Sequence, residues 1–382
     1  MKNKIVIIGS AIIGLLILLL VVLWAITTFS PKFYSYEDVE KKIQDATNAY
    51  YKNSPEMLPI SDGKSVLPYS TLVENGYIKP LNELLKDGDE CSAEVIVYKN
   101  SDDYNYIPHL TCGDKYTTKE LYQQIFDNSP VVISGSGLYK AENGEYYFRG
   151  KVTNNYIALG TTGRGKNATS VLWRIISIDE NNNIKMRATV AAPGKTYYDD
   201  RYNVTKNSNS GYNTFKTSLL RDYLIQLAES EEFLTADQKK NLIETTVCDM
   251  PRSFEDNTKD GSTECSNENP DKLLFTTITP YEYMRASIDE NCIHAKDRSC
   301  ANYNFLTTFG EYGNEWTVTP YTGSDYEVFT YEGGNFNVVK AKTKKNVYVV
   351  TTLSSLTRYV SGTGTKTDPY VIIKEKKSTI TK

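Results

Sequence analysis

Histidine is almost absent from this chain of 382 residues; His109 and His294 are its only two. Zinc sites built on paired imidazoles lack their ligands, and a Ser-His or Cys-His catalytic pair must use one of these two. The chain also lacks any C-x-x-C, and Gly135-Ser136-Gly137 lacks the spacing of a G-x-S-x-G nucleophile elbow. No long basic stripe exists and the net charge is only −4, which excludes nucleic acid as the expected partner. Charge is missing altogether from one long stretch, Ile5 to Phe29, where only Ser10 and the Thr27-Thr28 pair interrupt the apolar character.

That run is the strongest single feature of the sequence. As a helix, 25 residues at about 1.5 Å each reach roughly 37 Å, enough to cross a hydrocarbon core of about 30 Å. Its length exceeds the core of a cleavable signal peptide, and Ala25-Ile26-Thr27 is a poor cleavage site. Trp24 stands where an interfacial ring belongs. The expectation is a single-pass signal anchor over 5–29 with residues 1–4 in the cytoplasm, since Lys2 and Lys4 precede the run. The bulk would then lie outside the plasma membrane, with the membrane itself as one partner.

What is present points to folded ectodomains. Hydrophobic residues make up 40% of the chain and tyrosine alone contributes 30 residues, too much apolar material for a disordered stalk. Six cysteines fall into three local pairs, Cys91 with Cys112, Cys248 with Cys265 and Cys292 with Cys300, as disulfides of an oxidising compartment would. Six allow 15 connectivities, so nearest-neighbour pairing is one choice among several.

Ser35 followed by Asp38 marks a helix start, and Tyr36, Val39, Ile43, Ala46 and Tyr50 form one apolar face. A second short helix starts at Ser70 and stops at Asn75-Gly76. Glu94 to Tyr98 and Tyr104 to Cys112 read as a hairpin whose open end Cys91 and Cys112 would staple. Thr118 to Phe126 reads as a closing helix. The polar stretch 127–143 reads as a linker between a domain over 31–126 and a larger one over 144–374, with a disordered tail over 375–382. In the larger domain, Val171 to Ile178 and Ile184 to Val190 read as a hairpin. A helix follows on Phe215, Leu219, Leu220, Tyr223, Leu224 and Leu227, and Thr235-Gln238 and Thr279-Glu282 read as helix starts. The predicted fold class is α+β: a transmembrane helix, a small α+β domain and a larger mixed α+β domain.

The phrases "LPYSTLVENGYIKPL" and "CSAEVIVYKN…YIPHLTC", within Phe33 to Tyr116, resemble a pilin-like module of Gram-positive surface proteins. The resemblance implies a membrane helix followed by a small α+β head. Prepilin processing would require an acidic residue after a cleavage glycine, yet the fifth position after Gly9 is Gly14. The module therefore reads as a membrane-proximal spacer or docking unit. The phrases "NNYIALGTTG…LWRIISIDENNNIKM", "YNTFKTSLLRDYL", "TPYEYMRAS", "EWTVTP" and "SGTGTKTDPYVI" resemble a domain of unknown function in Gram-positive surface proteins, and parts of the pattern resemble C-type-lectin-like folds. That resemblance implies an extracellular mixed α+β unit and no established reaction.

Gly160-Thr161-Thr162-Gly163-Arg164-Gly165-Lys166-Asn167 nearly matches a phosphate-binding loop, but Asn167 replaces the hydroxyl and the next segment reads as a strand. Asp179-Glu180-Asn181-Asn182-Asn183 lacks the glycine and terminal glutamate of an EF-hand and reads as a turn. The acidic loop Glu255 to Asp271 has the carboxylates for calcium but nothing that singles it out. Asn167-Ala168-Thr169 and Asn203-Val204-Thr205 fit the glycosylation sequon. Trp173 reads as core. Trp316, with Tyr321, Tyr197 and Tyr198, is the expected exposed aromatic surface for a protein or glycan ligand. The reading is a non-catalytic surface binding or adhesion module with no cofactor and no metal, displayed to an envelope, host or neighbouring-cell ligand. An envelope enzyme acting on glycan or peptide, and a subunit of a pilus-like or secretion assembly, are the alternatives.

Overall fold

The computed structural model describes residues 33–61, 63–100, 103–162, 169–307 and 314–372. The chain divides into two compact units that meet in sequence between Thr118 and Lys119.

In the first unit, helix α1 (Tyr36–Asn53) starts where the Ser35 hydroxyl accepts the Asp38 amide at 3.2 Å. Val39, Ile43, Ala46 and Tyr50 are buried along it, the stripe that the 3.6-residue period selects. The chain continues through β1 (Gly63–Pro68), α2 (Tyr69–Glu74), α3 (Leu81–Leu84), β2 (Cys91–Asn100), β3 (Asp103–Cys112) and β4 (Tyr116–Thr117). The four strands form an antiparallel sheet in the order β1-β2-β3-β4. Every second residue of β2 points inward, so Val95 and Val97 are buried and meet Leu67, Leu72, Leu84 and Leu110 in one core with α1. Each such fully buried side chain contributes about 1.5–3 kcal/mol. Cys91 and Cys112 lie directly opposite one another in the β2–β3 register and are bonded.

The second unit opens with α4 (Leu121–Asn128), whose Leu121 and Ile125 pack into that unit's own core. The closing helix expected for the first domain therefore belongs to the second. The expected linker 127–143 is also structured: β5 (Gly137–Lys140) pairs with β6 (Tyr146–Arg149), and the Val132 amide donates to the Leu138 carbonyl at 2.8 Å. Its Gly/Ser content shapes a tight return at 133–136 rather than a tether. Next come β7 (Tyr156–Thr162), β8 (Thr169–Ile178), β9 (Ile184–Ala188), β10 (Thr196–Tyr197), α5 (Leu219–Glu229), α6 (Ala236–Lys239), β11 (Leu242–Ile243), β12 (Thr245–Thr246), β13 (Lys272–Leu273) and α7 (Pro280–Ala286). The unit ends with β14 (Glu315–Pro320), β15 (Glu327–Glu332), β16 (Asn335–Lys340), β17 (Lys344–Lys345), β18 (Val350–Leu353) and β19 (Tyr370–Val371).

An eight-stranded sheet forms the centre, running β11-β18-β9-β8-β6-β5, with β7 also on β8 and β19 parallel to β7. A three-stranded sheet β14-β15-β16 and the two-strand pairs β10–β17 and β12–β13 complete the strands. Helices α6 and α7 both start with reciprocal capping boxes, the Thr235 amide donating to Gln238 at 3.0 Å and the Thr279 amide to Glu282 at 2.9 Å. Cys248–Cys265 and Cys292–Cys300 are bonded, so nearest-neighbour pairing holds for all six cysteines.

The α+β class stands, with sheets that are mostly antiparallel, but its predicted transmembrane helix requires correction. Among the described residues no helix is long and apolar enough to cross a membrane. The longest, α1, has 18 residues and carries Glu37, Asp38, Glu40, Lys41, Lys42 and Asp45, charges that a hydrocarbon core would not accept. The run from Ile5 to Phe29 and the tail 375–382 lie outside the described residues.

Candidate binding groove

The aromatic surface expected from sequence is not assembled. Trp316 is fully buried on β14, its indole N–H donating to the Thr196 carbonyl at 2.9 Å. Tyr198 is equally buried, edge-on to Trp316 at 5.6 Å, with its hydroxyl donating to the Val318 carbonyl at 3.2 Å. Burial holds that hydroxyl's pKa well above the ordinary tyrosine range. Tyr321 is half-buried between Phe254 and Phe329, at 5.2 and 5.9 Å. Tyr197 keeps partial exposure beneath the Lys344 ammonium, 5.1 Å from its ring centre. The polar sequence around Trp316 misleads because every residue of β14, Thr317 and Thr319 included, is buried. Trp173, expected in the core, is there, its N–H donating to the Leu159 carbonyl at 2.8 Å.

Other sequence candidates resolve into structure. His109 lies on β3 opposite Glu94 in the first unit. His294 sits in the Cys292–Cys300 loop of the second, its Nδ1 3.5 Å from Asp297. One Asp179 carboxylate oxygen accepts the amides of Asn181 and Asn183 at 2.9 and 2.8 Å, which makes this run a turn. In the acidic loop, Asp256 and Asp260 accept the amides two residues on, and Glu264 pairs with Arg252 at 2.7 Å. Among the described residues no three His, Cys, Asp or Glu side chains gather as a metal site. The phosphate-loop candidate falls largely on residues 163–168, outside the described residues, and β8 rather than a helix follows it. Asn203 is buried with its amide donating to the Gly211 carbonyl at 2.8 Å, which closes that sequon to a glycan; Asn167 is not described.

The first unit holds a feature that the sequence reading passed over. An open groove of about 930 Å³ runs between α1 and the segment from Tyr77 to Leu84. Ala46 and Ala49 line it on α1 with short side chains. Phe33 and Tyr34, just ahead of the helix, form one wall at 39% and 40% exposure. The backbone fixes that wall, because the Tyr34 amide donates to the Leu84 carbonyl at 2.9 Å.

Tyr77 forms the opposite wall. After α2, Gly76 adopts φ +73°, and the Tyr77 amide returns to the Leu72 carbonyl at 2.9 Å, closing a Schellman-type stop. The Tyr77 ring lies edge-on to Tyr50 at 5.6 Å and its hydroxyl accepts from Asn53 at 3.1 Å. The rim carries charges of both signs. Lys42 places its ammonium 4.2 Å from the Tyr34 ring centre, and Lys79 pairs with Glu83 at 3.0 Å. Asn82, also in the lining, donates its side-chain amide to Asp89 at 2.9 Å. Asp45 is exposed and makes no ion pair among the described residues. The adjacent Phe33-Tyr34 pair, sited just outside a capped helix, was the sequence signal for this wall.

No family model, no curated protein and no solved structure matches this chain.

Proposed function

We propose that this protein is a non-catalytic binding module of an oxidising, extracytoplasmic setting, and that the α1 groove of its first unit receives the ligand. The observation that carries the proposal is the groove itself: pre-formed, open, with two aromatic rings part-exposed and charges of both signs along the rim. At about 930 Å³ it falls within the roughly 300–1,000 Å³ of ordinary ligand clefts. Exposed, backbone-anchored aromatic rings bury area on binding at little cost in side-chain entropy. Three disulfides, with no cysteine left over, support the compartment. The ligand is then an envelope, host or neighbouring-cell component, in keeping with the surface-protein resemblances of both units.

The test is a mixed glycan and protein array probed with the full chain purified under oxidising conditions, beside a Tyr34→Ala, Tyr77→Ala double variant. The expected result is a specific signal that the variant loses. A signal that the variant keeps unchanged, or no signal from a correctly paired chain, overturns the proposal.

A further inference from the structure

From the groove's chemistry we infer that its ligand is an uncharged, hydroxyl-rich saccharide chain; the inference rests on the binding reading above. Two cations and two carboxylates lie along the rim, so the lining has no net charge to favour a polyanion or a polycation. Both cations already have partners, Lys42 on the Tyr34 face and Lys79 on Glu83. What the rim still offers is acceptor capacity at the exposed Asp45 carboxylate, beside the part-exposed rings of Phe33 and Tyr34. A saccharide of linked pyranose rings matches both features. Its hydroxyls donate to the Asp45 carboxylate, and its C–H faces pack on the exposed parts of Phe33 and Tyr34.

A folded protein partner fits less well. Stable protein interfaces engage about 20–30 residues a side, whereas a dozen line this groove. A basic peptide would gain only one unpaired carboxylate at the rim, Asp45, because Glu83 is already bonded to Lys79. The volume of about 930 Å³ is more than one sugar ring fills, which suits several linked rings.

The experiment is calorimetric titration of the full chain with the neutral hexamers of glucose, galactose, mannose, xylose and N-acetylglucosamine. The glucosamine hexamer serves as the cationic probe and a sulfated hexasaccharide as the anionic one. At least one neutral hexamer is expected to bind, with affinity unchanged between 50 and 500 mM salt because no ion pair forms with it. Tyr34→Ala should weaken that binding by roughly tenfold or more, the loss expected of a central aromatic anchor. Asp45→Asn should weaken it less, and Ile133→Ser, a fully exposed residue of the second unit, not at all. Failure of every neutral hexamer, stronger binding of either charged probe, or equal binding by Tyr34→Ala each overturns the inference. If the array instead yields a Tyr34-dependent peptide or protein, the saccharide falls while the binding reading stands. If nothing depends on Tyr34, both fall.

Discussion

Tyr34 and Trp316 show how differently one kind of side chain is used in this chain. Trp316 fills the core against Tyr198 and commits its N–H to a carbonyl, whereas Tyr34 is two-fifths exposed, anchored by its backbone amide and touched on its ring by Lys42. Truncating Trp316 to alanine should cost about 3–5 kcal/mol, and truncating Tyr34 less than about 0.5, as thermal or denaturant melts will show. Similar losses for both would contradict their assigned places. The sequence made Trp316 the surface candidate because polar residues flank it. It could not reveal that β14 is covered along its length by strands and loops distant in the chain.

Glu145 supplies a pH test at the same scale. Burial alone raises its carboxyl, but the Arg285 guanidinium, bonded to both oxygens at 2.6 and 3.0 Å, outweighs it and leaves the pKa below the ordinary value. A depressed acid stabilises the fold above its unfolded pKa, near 4.3, and that contribution fades as pH falls through the folded value. Glu145→Gln should therefore melt below the parent at pH 7, with the gap closing below about pH 4. A gap that stays constant down to pH 3 would remove Glu145 as its source.

At the scale of elements, local signals were the legible ones. The Ser35 cap, the α1 stripe, the Asn75-Gly76 stop, the β8–β9 hairpin and the boxes at Thr235 and Thr279 all depend on neighbours within a few residues, and all are formed. Strands β1, β11 and β19 were missed because their partners are remote: Leu67 lies opposite Val95, and Tyr370 opposite Ile157. A short segment without a hairpin turn carries no local record of such pairing. The Cys91–Cys112 bond closes the β2–β3 hairpin over a separation of 21 residues, where loop-closure entropy amounts to about 3 kcal/mol. Replacing both cysteines by alanine should speed amide exchange across β2 and β3 and leave β14–β16 unchanged. Unaltered exchange in the hairpin would show that the core alone holds it.

For the whole molecule, composition and cysteine pairing indicated folded, disulfide-bearing units, but the division between them was misplaced. Gly and Ser over 127–143 suggested a linker, yet Leu138 and Leu121 are both buried in the second unit's core. The unit boundary instead follows Thr118, whose hydroxyl is buried against Glu40 and bonded to the Leu110 amide at 2.9 Å. No compositional shift marks that position, because the division is set by which core each side chain enters. The groove was equally hidden: its lining includes two alanines and joins segments more than 40 residues apart, Phe33-Tyr34 and Tyr77 onward.

The most direct test of the account is a paired one. The parent chain and the Tyr34→Ala, Tyr77→Ala variant, both with three intact disulfides, are read on the same glycan and protein array. The expected result is a specific signal for the parent that the variant loses, with saccharides among the ligands. Matching profiles for the two chains would contradict it.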